Sequence, residues 1–439
     1  MKQKIQKRIE QKLALLASQV LERHQPKIVA VTGSVGKTSA KDAIATVLGS
    51  KYSVRASSGN YNNELGLPLT ILGEESPGRS VFGWWRLMSR ARRVASGGDD
   101  YPQVLVLEMG ADRPGDIANL TKIAPPDVAV VTQVSESHLE FFDSVDAIAN
   151  EKSQVVRALK SDGVAVLNVD NDLSARMRQH SSGTTMTFGT SQADVQAGEA
   201  NVLTDISESN IPNTNVDALK HAGLPLGTKI EVTHGGKSAQ VVLPGALGKQ
   251  HVYAVLAGIA VGIALDVSLD QAAGTLMSYV PPRGRMNMIS GLKDSLLIDD
   301  TYNASIASTI AALETLGSMP VKGRRIAILG DMAELGAATE TGHRDVGKHA
   351  AHTCDFAIFV GPKMKFAAAA AEEAGLVDEK QTHVNDSRQV ENVIQPMINA
   401  GDVLLIKGSQ SVRMERAVKA LMSDPLRAEA LLVRQGPEW

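Results

Sequence analysis

The sequence predicts an α/β protein: a phosphate-loop-type, doubly wound parallel-sheet domain with a small β subdomain, followed by a second Rossmann-like α/β domain. Three observations predict it. Apolar, β-branched runs of strand length at 27–32, 103–111 and 127–132 alternate with stretches of helical period, the pattern of a parallel sheet covered on both faces. The first run stops at Gly33-Ser34-Val35-Gly36-Lys37-Thr38, and a helical pattern restarts at once. After Pro281-Pro282-Arg283-Gly284-Arg285 the strand–helix alternation begins again.

A chain of 439 residues is long enough for two or three cores. Its net charge of −3, with basic residues scattered along the chain, argues against nucleic acid. The single cysteine, Cys354, excludes an internal disulfide or a cysteine metal cluster and points to a reducing compartment, the cytoplasm. The longest apolar run, 252–265, is too short to span a bilayer, and residues 1–25 carry charges throughout without a cleavage-site pattern. A monomer is expected.

Residues 2–24 predict one amphipathic helix, with Ile5, Ile9, Leu13, Leu16, Val20 and Leu21 on its apolar side, ended by Pro26. Next comes the glycine-rich turn. Gly33 and Gly36 let the backbone approach an anion, Ser34, Thr38 and Ser39 lie where the new helix offers unpaired N–H groups, Lys37 adds a charge, and Thr38 offers a magnesium ligand. The full phosphate-loop pattern would want a glycine at Val31, so the alternative is an ordinary turn with a solvated lysine. A short strand at 52–55 leads to Gly59-Asn60-Tyr61-Asn62-Asn63-Glu64, too polar for a core and placed at a helix start.

Residues 81–93 join Trp84 and Trp85 to four arginines. Such a helix can touch an anionic membrane surface, clamp an anionic substrate, or lie on the protein with its aromatic residues tucked in. The strand at 103–111 carries Glu108, where a nucleotide's metal is commonly steadied. A strand at 127–132, then Glu136-Ser137-His138-Leu139-Glu140, a helix at 144–159 bearing Lys152 and a strand at 163–170 complete the first sheet. Short alternating runs between 181 and 244 predict the small antiparallel β subdomain, and helices follow at 249–265 and 269–278. Beyond the hinge, strands at 295–300, 325–331, 356–361 and 402–408 end in Asp, Gly or Lys, giving a second ligand-facing edge. The predicted division is a helix over 1–27, a nucleotide-binding domain over 28–285 and a second, Rossmann-like α/β domain over 286–439.

In order along the chain, Thr32–Thr38, Asn60-Tyr61-Asn62-Asn63-Glu64-Leu65-Gly66-Leu67-Pro68, Glu108-Met109-Gly110-Ala111, His138-Leu139-Glu140, Glu151-Lys152-Ser153, Asp299-Asp300-Thr301-Tyr302-Asn303-Ala304, Gly330-Asp331-Met332-Ala333-Glu334-Leu335-Gly336 and Lys407-Gly408-Ser409 resemble the motifs of the Mur ligase family. These are ATP-dependent amide ligases of cell-wall precursor synthesis, and the pattern looks most like the MurF type, which adds D-alanyl-D-alanine to a UDP-N-acetylmuramoyl tripeptide. The resemblance implies ATP and two magnesium ions. Gly33, Ser34, Gly36, Lys37, Thr38 and Ser39 would hold phosphates. Thr38, Glu108, His138 and a CO₂-carbamylated Lys152 would hold metal, and Asn303 and Asp331 would contact base and ribose. Lys37, His138, Lys152, Asn63 and Arg285 would serve catalysis, and Asn62, Asn63, Lys407 and Ser409 substrate.

The sequence also departs from that pattern. MurF-type enzymes carry a UDP-binding domain ahead of the phosphate loop, where this chain has only its predicted helix. Val252 replaces an asparagine after His251, Gln133 an asparagine and Asp143 a glycine. A ligase for a non-UDP acceptor, of folylpolyglutamate-synthase type, would share most of these motifs. A phosphate-loop kinase or nucleotide switch would use Lys37, Thr38 and Glu108 but neither Lys152 nor the second domain. A decayed binding subunit would not keep all four of Lys37, Glu108, His138 and Lys152.

Overall fold

The structure is a computed structural model and describes residues 2–58, 61–78, 80–98, 100–136, 141–205, 220 and 223–436. Strands β1 (Lys27–Thr32), β2 (Val54–Ala56), β3 (Val104–Glu108), β4 (Val128–Val131) and β5 (Val164–Asn168) pair in parallel in the order β5-β4-β1-β3-β2. Side chains alternate between the faces of a strand. In β1, Val29 and Val31 enter one core while Ile28 and Ala30 enter the other, and β3 and β4 divide their residues the same way. Polar residues therefore wait for the carboxyl ends, where Thr32, Glu108 and Asn168 stand.

Helices α1 (Lys2–His24), α2 (Lys37–Leu48), α3 (Gly66–Leu72), α4 (Val81–Ala95), α5 (Asp116–Ile123), α6 (Val145–Arg157), α7 (Asp172–Ala175), α8 (Lys249–Ala264) and α9 (Leu269–Thr275) cover the sheet. α2, α8 and α9 close one core, and α1, α3, α4, α5 and α6 the other. α1 buries Leu13, Ala17 and Val20, with Ile9, Leu16 and Leu21 packed beside them. Along α4 the tryptophans part company: Trp84 donates its indole N–H to Gly78 O and packs on the core, whereas Trp85 points outward.

The stretch expected as a separate antiparallel subdomain instead prolongs the main sheet. β6 (Thr184–Gly189) pairs parallel with β5, and β7 (Val195–Ala197) parallel with β6. Only then does the sheet turn antiparallel, with β9 (Gly227–His234) against β7, β8 (Asn201–Leu203) and β10 (Lys237–Pro244). Alternating runs mark strands but carry no address for the partner, so the β5–β6 junction was invisible in sequence.

In the second domain the order is β11-β12-β16-β13-β14-β15, built from β11 (Asn287–Ser290), β12 (Leu296–Asp300), β13 (Arg325–Gly330), β14 (Phe356–Val360), β15 (Gln381–Val384) and β16 (Val403–Lys407). All pair in parallel except β11. β11 and β15, absent from the sequence expectation, are edge strands with exposed or half-buried positions rather than fully apolar runs. Among the described residues no helix is long and apolar enough to cross a membrane.

Candidate active site

The phosphate loop lies between β1 and α2, where the strand order of the first sheet reverses about β1 and an open sheet leaves a crevice. Gly33 has φ +150° and Gly36 φ +86°, and a Cβ on Gly33 would fall 2.0 Å from Thr132 Oγ1. Only glycine closes this turn. The end of β4 fastens it from below: Ser34 N donates to Gln133 O (2.6 Å), Ser34 Oγ to Ser135 O (2.9 Å), and Thr132 Oγ1 to Val35 O (2.6 Å). Lys37 Nζ folds back onto Gly33 O at 2.8 Å. Burial lowers its pKa, and Glu108 opposes the shift.

Glu108 is buried at the end of β3 with both carboxylate oxygens engaged. Thr38 Oγ1 donates to Oε2 at 2.9 Å and Asn62 Nδ2 to Oε1 at 3.2 Å. Gly110 N donates to Asn62 O at 2.9 Å, and a Cβ at Gly110 would press on Asn62 Nδ2 at 3.0 Å, so the glycine two residues after Glu108 makes room for the amide. From the hinge, Arg285 Nη2 donates to Thr38 Oγ1 at 3.3 Å while its guanidinium stacks 4.2 Å over the Tyr302 ring. Arg285 Nε is buried with no protein partner.

On α6, Glu151 accepts from Gly115 N (2.7 Å) and Ile117 N (2.8 Å), pinning that helix to the start of α5. The next residue, Lys152, is 3 % exposed and within the electrostatic reach of Lys37, Glu151, Asp112 and Glu108. Burial, then Lys37, brings its amine down to about 7. Thr38, Glu108 and Asn62 offer oxygen ligands, the type that suits magnesium. No group of three His, Cys, Asp or Glu stands together among the described residues. His138, Glu140 and Asn60, all singled out in the sequence, lie outside the described residues.

Across the cleft, Asn303 is exposed and Asp331 half-buried at the end of β13, where Asp331 Oδ1 accepts from Lys363 N (3.0 Å) and Met364 N (2.9 Å). Two residues expected to meet substrate have protein partners here. Lys407, read as an open cation, is buried and donates to Asp300 Oδ2 (2.6 Å) and Asn303 O (2.9 Å). Ser409 Oγ accepts from Ala333 N at 2.8 Å and so supports the loop after β13. Asn63, also read as a ligand-contacting amide, accepts from Gly66 N (2.9 Å) and Leu65 N (3.2 Å) at the turn into α3.

Residues 31–82 and 88–262 match the Mur ligase middle domain, and residues 284–410 match the Mur ligase glutamate ligase domain. The chain belongs to the Mur ligase family. It is 29 % identical to the UDP-N-acetylmuramoyl-tripeptide–D-alanyl-D-alanine ligase of Bacillus subtilis, covering 94 % of this chain and 80 % of that protein. The Escherichia coli enzyme of the same name is 30 % identical, with 93 % and 80 % covered. The crystal structure of MurF ligase from Thermotoga maritima in complex with ADP has a TM-score of 0.75 at 28 % identity, covering 94 % of this chain and 83 % of that one.

In this Mur ligase the residues that sequence reasoning left without a role are those that aim others. His251, buried on α8, bonds Arg285 O through Nε2 (3.0 Å) and Tyr279 Oη through Nδ1 (3.1 Å). A carbonyl can only accept, so Nε2 carries the proton and Nδ1 accepts from the phenol. Burial lowers this imidazole to about 4, which keeps it neutral. Tyr302 supports Arg285 from the other side, and Arg434 donates to Thr301 O and Tyr302 O to hold the Tyr302 loop. No motif marks these contacts, because they are made between distant segments.

Proposed function

We propose that this chain is an ATP-dependent, ADP-forming amide ligase of the MurF type, joining a D-Ala-D-Ala-like dipeptide to the carboxylate of a muramoyl peptide. The observation that carries the reading is the Glu108 carboxylate held between Thr38 and Asn62, with the Arg285 side chain of the hinge on the same threonine. One domain thus brings a phosphate loop and a metal-type carboxylate, and the hinge brings a cation to the same point. Joining a carboxylate to an amine requires an activated acyl group. The substrate carboxylate attacks the γ-phosphorus, ADP leaves, and the amine then displaces phosphate from the acyl phosphate.

Charge spreads over phosphoryl oxygens in the first step, so positioned cations and N–H donors supply most of the effect. The loop amides from Gly33 to Ser39 and Lys37 would grip the phosphates, and Arg285 has an unused Nε to add. Thr38 and Glu108 would hold one magnesium, with His138 and a carbamylated Lys152 at a second, supplying neutralising charge there. A lysine amine held near 7 is substantially neutral at physiological pH, the form that adds CO₂ with loss of an N–H proton. Asn303 and Asp331 would meet the base and ribose. ATP and nucleotide-linked peptides suit a cytoplasmic setting.

The test is ADP release by the full chain with UDP-N-acetylmuramoyl tripeptide and D-Ala-D-Ala, each omitted in turn. Release only with both is expected. Equal rates with a peptide stripped of UDP would reassign the acceptor to the non-UDP type, and ADP release needing neither substrate would overturn the ligase reading.

A further inference from the structure

The outward face of α4 has no place in the site described above, and its chemistry is distinctive. Val81, Phe82 and Trp85 are 84, 70 and 68 % exposed, large apolar side chains gathered at the first two turns. Phe82 and Trp85 stack on one another, with ring centroids 5.9 Å apart. At 100° per residue, Arg86, Arg92 and Arg93 share their side of the helix and are exposed, while Leu87 and Ala91 face the core. Arg90 points elsewhere, paired with Glu74.

Charge is segregated here as well. α4 has four arginines and no acidic residue, and α1 has six Lys or Arg against two Glu. The two helices together carry a net +8 in a chain whose net charge is −3. α1 is seated against α4, with the His24 ring bonded to Val94 O at 2.9 Å.

We propose that the outward face of α4 docks the protein on an anionic lipid bilayer, with Val81, Phe82 and Trp85 entering the interface and Arg86, Arg92 and Arg93 meeting the headgroups. A helix lying in an interface needs an apolar edge to bury and a basic flank to hold anionic lipid, and this face has both. Single-stranded nucleic acid would also meet cations and rings, but it needs open ring faces. Here the two rings each turn one face to the other, and Val81 gives nothing to stack on.

The test is sedimentation of the full chain with vesicles of phosphatidylcholine alone and of phosphatidylcholine mixed with phosphatidylglycerol. Binding to the anionic vesicles is expected to be stronger by roughly tenfold or more and to fall with added salt. Phe82→Ser/Trp85→Ser should lower it roughly tenfold, and Arg86→Glu/Arg92→Glu/Arg93→Glu should abolish it. Because all five side chains are exposed, unchanged circular dichroism and thermal midpoints should accompany both losses. No binding, or equal binding to neutral vesicles, overturns the proposal. So does tighter binding to a single-stranded oligonucleotide that the same variants lose. A raised KM for the nucleotide-linked peptide, with vesicle binding intact in the arginine variant, would instead make this a substrate surface.

Discussion

Lys407→Met should destabilise the second domain far more than it disturbs substrate binding. The ammonium and the Asp300 carboxylate are buried, 2.6 Å apart, and stand in register on β16 and β12. Removing one member of a buried pair strands the other charge, at a cost of about 3–5 kcal/mol. Asp300 has an escape, because burial already pushes its pKa up and a proton can neutralise it once the lysine is gone. The lower end, about 3 kcal/mol, is therefore expected. Native-state hydrogen exchange of β12 and β16 amides in the full chain reads this locally, and about 3 kcal/mol is roughly two orders of magnitude in exchange rate. Lys407→Met/Asp300→Leu should recover most of the loss, since neither charge remains. Unchanged exchange in Lys407→Met, together with a raised KM for the dipeptide, would refute the reasoning and return Lys407 to the substrate.

Lys37→Ala should abolish ATP turnover and weaken nucleotide binding about tenfold to a hundredfold, the worth of a hydrogen bond to a charged group; ADP release equal to the parent's would contradict this. Gly33→Ala should give a folded protein without nucleotide binding, because the added methyl meets Thr132 Oγ1 at a φ of +150°; calorimetric titration with ADP tests it. At fixed CO₂ pressure, carbamate on Lys152 short of saturation should rise about a hundredfold per pH unit below about pH 7, where the ammonium gives up two protons, and about tenfold per unit above it, read by mass spectrometry after chemical trapping. The charged amine is the disfavoured form in the fold, so its penalty is full below about 7 and is relieved as pH rises towards the unfolded lysine's pKa. A hundredfold rise per pH unit persisting towards about pH 10 would show an unperturbed lysine.

What could be read from the sequence was whatever is encoded locally. The apolar strands announced β1, β3, β4 and the core of the second sheet, and the glycines of the phosphate loop announced a turn that no other residue can make. Glu108 was found because a carboxylate ending a fully apolar strand has no place in a core. Long-range pairing was not readable. Lys407 in sequence is simply a lysine at the end of a strand, and its burial against Asp300 follows from β16 inserting between β12 and β13. Asn63 shows a related limit: an amide that accepts from the backbone ahead of a helix and a ligand amide look alike until the helix start is placed.

The prolonged first sheet also governs how the two halves can move. Leu203, Leu224, Leu226 and Leu247 do not pack under their own sheet. They join Met286, Leu313, Leu316 and Met319 in the core of the second domain. Separating the halves would expose that shared oil-like seam to water at about 25 cal/mol per Å². Swinging about it exposes far less. The cleft should therefore breathe like a clamshell pivoting on the seam and the 281–286 strap, with least travel at the strap itself, where Arg285 meets Thr38. Nucleotide exchange would then leave the arginine on its threonine while the seam stays dry.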